Sequence, residues 1–139
     1  MTPGLLDTNV FIHAHASDRW TAECREFLNA VERGSVSVTI EPLVLHELSY
    51  ALPHYVKQMT RDQVGEYLLM VLNWDGVQAD KDLLVETVMR WRATPGLAFV
   101  DAYLASLAHQ RNCPVYSKNV KELTAQGVDV PTHLPSEAA

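Results

Sequence analysis

The chain has 139 residues, 47% hydrophobic and 20% charged, the size and balance of one globular domain. No apolar run approaches the roughly 20 residues that cross a bilayer, and Met1-Thr2-Pro3-Gly4 lacks the basic start of an export signal. A formal charge of −6, from 11 Lys+Arg against 17 Asp+Glu, is the wrong sign for gripping phosphates by basic residues alone, so a nucleic-acid role requires bound cations or a few basic residues concentrated at one mouth.

Leu5-Leu6-Asp7-Thr8-Asn9-Val10-Phe11-Ile12 reads as a buried strand handing over to a helix, with Asp7 at the strand's carboxyl end. In open parallel sheets that edge is where ligands bind, although Asp is also a preferred N-cap and capping alone accounts for it equally well. Asn9 to about Ala16 is predicted helical; His13 and His15 within it do not share a face, which argues against a metal pair. Asp18 is a good N-cap for a helix with Trp20, Cys24, Phe27, Leu28 and Val31 on one apolar face, closed by Arg33-Gly34. Ser35 to Ile40 alternates strictly and is predicted as a strand.

Pro42 to Tyr55 is the next predicted helix, with Pro in its first turn and a buried stripe of Val44, Leu48, Ala51, Leu52 and Tyr55. Glu47 falls at the margin of that stripe, where a carboxylate is costly without a partner or a metal; a solvated flank is the competing explanation. Pro53 marks a late break or kink. A helix from Arg61-Asp62 carries Val64, Tyr67, Leu68, Val71 and Leu72, and Leu69 and Met70 widen its apolar face beyond one core contact. Val77 opens a very short strand, Asp80 caps a further helix, and Thr94-Pro95-Gly96 ends it. The small and apolar residues from Leu97 to Gln110 imply a helix buried on most sides, with Asp101 in its first turn, where the helix dipole favours an acid. Val115-Tyr116 is predicted as a strand with Ser117-Lys118-Asn119 at its carboxyl end, Val120 to Ala125 as a short helix, and Val128 to Val130 as an edge strand. Cys24 and Cys113 lack metal or disulfide spacing and read as reduced thiols of a cytoplasmic protein. Alternating strands and helices predict a helix-rich three-layer α/β/α sandwich with a central parallel sheet over residues 1–130, followed by a tail over 131–139.

Asp7, Glu47 and Asp101 are the acids that chemistry could use. Brought together, they would repel one another unless a hard divalent cation lay between them. Such a cation lowers the pKa of a bound water and orients phosphate oxygens.

The blocks Leu5-Leu6-Asp7-Thr8-Asn9-Val10-Phe11, Leu45-His46-Glu47-Leu48, Phe99-Val100-Asp101-Ala102 and Tyr116-Ser117-Lys118-Asn119-Val120-Lys121-Glu122-Leu123 resemble, in order and spacing, the PIN-domain ribonucleases, and among them the VapC toxins of bacterial toxin–antitoxin pairs. The resemblance implies an acidic metal-binding triad of Asp7, Glu47 and Asp101 that serves Mg2+ or Mn2+, with Thr8, Asn9 and Ser117 as supporting side chains. Asn119 stands where the family often has Asp, and Glu122 lies one helical turn further; either completes the site. Lys118 and Lys121 are the first candidates for RNA phosphates, and Arg19 and Arg25 follow. The implied activity is hydrolysis of RNA phosphodiesters to 5′-phosphate and 3′-hydroxyl ends, in a homodimer controlled by a small antitoxin, without a membrane. Three other readings compete. A PIN fold without activity would serve as a protein-binding module. A phospho-receiver domain needs a further acidic pair near Asp7, where Thr8-Asn9 stand; a haloacid dehalogenase-type phosphatase needs Asp where Asn9 stands.

Overall fold

The computed structural model describes residues 2–137. Its sheet is parallel and has the order β1-β2-β3: β1 (Gly4–Leu5), β2 (Val38–Thr39) and β3 (Val77–Gln78). Gly4 pairs with Val38 and Leu5 with Thr39 on one side, while Val38 pairs with Val77 and Thr39 with Gln78 on the other. Seven helices surround it among the described residues: α1 (Thr8–His15), α2 (Thr21–Arg33), α3 (Pro42–Tyr55), α4 (Arg61–Leu72), α5 (Lys81–Ala93), α6 (Phe99–Arg111) and α7 (Val120–Thr124). The architecture is helix-rich α/β, as expected.

The strands are shorter than the alternation of Ser35 to Ile40 predicts, and the cause lies at the end of α2. Gly34 adopts the left-handed conformation (φ 83°) that closes the helix. The N–H groups of Ser35 and Val36 then donate to Ala30 O at 2.9 and 3.3 Å, which withdraws them from the sheet. Only Val38 and Thr39 remain to pair, with Ile40 N–H donating to Gln78 O at 3.0 Å beyond them. Gly76 sits against this turn; its N–H donates to Val31 O at 2.9 Å, and a Cβ there would overlap the carbonyl oxygens of Val36 and Val31.

The opening strand is not buried as expected. It is the sheet's edge, Leu5 is 77% exposed, and Leu6 is the residue that enters the core. The main core joins Leu6, Phe11, Val38, Ile40, Leu45, Leu48 and Leu52 to Leu68, Trp74, Val88 and Trp91. The predicted strands at Val115-Tyr116 and Val128 to Val130 are absent. Val115 N–H donates to Asp129 O at 2.9 Å, but both segments pack into a smaller cluster with Ala105, Ala108 and Leu123 instead of extending the sheet. Nor is α6 covered on most sides: Val100 and Leu104 are exposed beside Leu43 of α3. Residues 131–137 form no helix or strand, and Met1, Ala138 and Ala139, which the expected domain and tail include, lie outside the described residues.

Candidate active site

Asp7 follows β1 and does two things. Its Oδ1 accepts the N–H of Thr8 at 2.8 Å, capping α1, and it lines a cleft of about 640 Å³. The opposite wall comes from α3, which leaves the carboxyl end of β2 beside β1. Side chains three, four, seven and eight residues after Glu47 share its face of the helix. Glu47, Tyr50, Ala51, His54 and Tyr55 therefore form one stripe along the cleft, opposed by Asn9, Ile12 and His13, which share a face of α1 for the same reason. The rest of α3 turns Leu45, Leu48 and Leu52 into the core, which fixes the stripe's direction. Tyr55, expected in the buried stripe, is instead 62% exposed at the helix end.

The cleft is acidic at one end. No Lys or Arg appears among its lining residues, so a phosphate entering it needs a cation. Thr8, which also lines the cleft, is 5% exposed, and its Oγ1 has no hydrogen-bond partner among the described residues. An orphaned buried hydroxyl is costly, and Thr8 lines the same cleft as Asp7 and Glu47. Carboxylate and hydroxyl oxygens are the donors that hard divalent cations take, so Asp7, Glu47 and Thr8 fit Mg2+ or Mn2+.

The remaining expected ligands sit differently. Asp101 is in the first turn of α6, and its Oδ2 accepts a hydrogen bond from Asn119 Nδ2 at 3.3 Å. Helix α6 reaches the site through stacking of Phe99 on His46, the neighbour of Glu47, at 5.6 Å between ring centres. Among the described residues, no three His, Cys, Asp or Glu side chains lie together as a metal-holding group. The expected single cup of Asp7, Glu47 and Asp101 is thus found as two pairs, Asp7 with Glu47 in the cleft and Asp101 with Asn119. Ser117 Oγ accepts the N–H of Asn119 at 2.9 Å and braces that loop. Glu122 is exposed on α7. Lys118 Nζ donates to Thr132 O at 3.4 Å, and neither it nor Lys121 lines the cleft.

His13 is the residue that sequence reasoning set aside and the cleft includes. Its Nδ1 donates to Asp18 Oδ2 at 2.7 Å, which leaves Nε2 as the free ring nitrogen. The same bond holds the Asp18 carboxyl below its ordinary pKa. Trp20 packs edge-on against the His13 ring at 4.8 Å, and the Arg19 guanidinium lies 4.2 Å from the centre of the Trp20 ring. His15, by contrast, turns to the Tyr67 hydroxyl at 3.1 Å. The signal that could have found His13, Tyr50, His54 and Tyr55 was helical spacing from Asn9 and Glu47.

With this geometry established, the comparison with protein families is direct: residues 4–121 match the PIN domain. The chain belongs to the PIN-domain family, whose members are generally nucleases and typically use divalent metal ions. No curated protein matches it significantly. No helix among the described residues is long and apolar enough to cross a membrane.

Proposed function

We propose that this protein is a metal-dependent endoribonuclease acting at the Asp7–Glu47 cleft. The observation that supports the reading most strongly is the meeting, in one cleft, of carboxylates from separate elements with the unpartnered oxygen of Thr8. Asp7 and Glu47, which line the cleft, would hold Mg2+ or Mn2+ there, and Asp101, paired with Asn119 at the start of α6, is the third acid that the resemblance assigns to the ion. A bound cation supplies charge neutralisation at the phosphate and a water of lowered pKa. Asp7 is pinned to the start of α1 by its cap, so its carboxylate is held at the cleft wall without costly reordering. Asn119 orients Asp101 through its amide. Ile12 and Ala51 line the cleft with apolar surface, which strengthens electrostatic interactions inside it. In the overall reaction water oxygen bonds to phosphorus and the bond to O3′ breaks, which leaves 5′-phosphate and 3′-hydroxyl ends.

The role as the toxin of an antitoxin pair and the homodimer rest on the resemblance of the four motif blocks to VapC proteins, and the cytoplasmic location on the reading of Cys24 and Cys113 as reduced thiols. Exposed Leu43, Val100 and Leu104, beside an apolar groove of about 240 Å³ between α3 and α6, offer a surface for protein contacts. Expression of wild type and Asp7→Asn in bacteria, with mapping of RNA ends, tests this function. Growth arrest and new 5′-phosphate ends are expected from wild type alone. The same RNA ends from both proteins would refute it.

A further inference from the structure

Asn119 stands at the cap position of α7, where Asn is a preferred residue. Its side chain makes no capping bond there and donates instead to Asp101 Oδ2 at 3.3 Å. Five residues of helix without a side-chain cap, about 7.5 Å long, do not hold themselves in place. Leu123 is the one buried side chain of α7 and anchors it in the smaller core. The chain just beyond is tied to α5. Arg90 Nη1 donates to Gln126 O at 2.7 Å and to Gln126 Oε1 at 3.4 Å, and Gln126 Nε2 donates to Thr94 Oγ1 at 3.1 Å. Arg90 is itself held: its Nε donates to Glu86 Oε2 at 3.1 Å, and Glu86 Oε1 accepts from His109 Nδ1 of α6 at 3.2 Å. Burial raises the Glu86 pKa, but hydrogen bonds from His109 and Arg90 outweigh it and hold the carboxyl below its ordinary value.

We propose that Arg90 is a positioning residue for Asp101: by fixing the chain at Gln126, it sets where the amide of Asn119 meets that carboxylate. The inference rests on the ribonuclease reading and adds to it a residue of α5 that lies outside the cleft. A short helix pinned only at Leu123 can tilt about that point, and the tie at Gln126 removes this freedom. The two ends move as one body. Leu123 N–H donates to Asn119 O at 3.1 Å, and Gln126 N–H donates to Leu123 O at 3.0 Å, so backbone hydrogen bonds run from one end to the other through the pivot. Had Asn119 capped α7, a tilt of the helix would matter only to stability. Because its amide is turned to Asp101, the same tilt reaches an acid assigned to the ion. A misplacement of about 1 Å, even one caused far from the chemistry, costs up to about a hundredfold in rate.

The test compares the full chain with Arg90→Met, Arg90→Lys, Asn119→Ala and the double variant of Arg90→Met with Asn119→Ala. Arg92→Met is the control, since Arg92 lies on the opposite side of α5 and pairs with Asp62 at 3.1 Å. Amide hydrogen exchange of the metal-free proteins is the first readout. Residues 119–127 should exchange about tenfold faster in Arg90→Met and at the wild-type rate in Arg92→Met. Cleavage of a mixed-sequence RNA in Mn2+ is the second. Arg90→Met and Asn119→Ala should each lower kcat about tenfold with KM unchanged, and the double variant should be no slower than Asn119→Ala alone. Arg90→Lys keeps a charged donor and should recover part of the rate; if circular dichroism shows Arg90→Met unfolded, the Lys variant carries the same comparison with a smaller effect. Exchange and kcat that do not change together would overturn the proposal, as would losses that multiply in the double variant. Wild-type exchange and cleavage in Arg90→Met would remove the positioning role and leave the nuclease reading standing. Absence of cleavage by the wild-type chain would overturn the nuclease reading together with the positioning role.

Discussion

Replacing Arg61 with Met should destabilise the protein more than any other single change at its partly exposed surface. Arg61 opens α4 and clamps the segment that leads from α5 into α6. Its Nε donates to Trp91 O at 2.9 Å, and its Nη2 to Thr94 O at 3.2 Å and Leu97 O at 2.6 Å. The guanidinium also lies 4.2 Å from the centre of the Trp91 ring. Burial lowers its pKa, yet arginine keeps its charge at neutral pH. Because the group is only half-buried, each bond contributes about 1 kcal/mol, less than a buried charged donor would, and the ring contact adds about 0.5 kcal/mol. The loss is therefore about 3.5 kcal/mol, or a fall of about 1.8 M in the urea midpoint at a slope of about 2 kcal/mol/M. Arg61→Lys keeps the charge without the fork and should recover less than half. RNA cleavage should fall as well at temperatures where both proteins are folded, because the loosened segment feeds the helix that carries Asp101. A midpoint within about 0.3 M of wild type at an unchanged slope would refute the clamp.

Asp7→Asn separates two roles. Asn caps helices as well as Asp does, so urea unfolding should change by less than about 0.5 kcal/mol while cleavage is lost; a large stability change would mean that the carboxylate matters for folding first. Partial burial, with the Arg25 charge second, lowers the His15 pKa below 6.5. The unfolded chain takes up that proton near 6.5 and the folded chain resists it, so stability is complete above this value and falls as pH drops through it towards the lowered folded pKa. Unfolding at pH 7.5 and 5.5 should show this loss, and His15→Gln should reduce it; an equal loss in the variant would rule His15 out. Gly76→Ala forces a methyl group onto two backbone carbonyls and should cost more than about 3 kcal/mol or prevent folding, as read by thermal unfolding.

Local signals located most of the helices. The bounds of α3 follow from Pro42 at its first turn and from the apolar period that ends at Tyr55, and α4 begins at Arg61 behind the capping pair Thr60 and Gln63. Strand length was not read from alternation, because the helix-closing hydrogen bonds around Gly34 take the N–H groups of Ser35 and Val36, a local competition between cap and strand that alternation does not encode. Periodicity also shows which residues share a face but not what covers that face. Tyr55 shares the period of Ala51, yet it projects past the core at the mouth of the cleft. Val100 and Leu104 satisfy a buried pattern and remain exposed for the same reason. At the site, Asp7 and Glu47 were legible as candidate acids, with capping and solvation as equally good explanations until the motif blocks were set side by side. His13 was not, because its role depends on Asp18, which follows the helix and turns back to it. The pairing of Asp101 with Asn119 joins α6 to a distant loop, and only folding reveals it.

Cleavage of RNA by the purified protein, followed with and without divalent cation, tests the role of the Asp7–Glu47 cleft most directly. Cleavage that requires Mg2+ or Mn2+, stops in excess chelator and disappears in both Asp7→Asn and Glu47→Gln is the expected result. Undiminished cleavage in chelator, or in either variant, would contradict it.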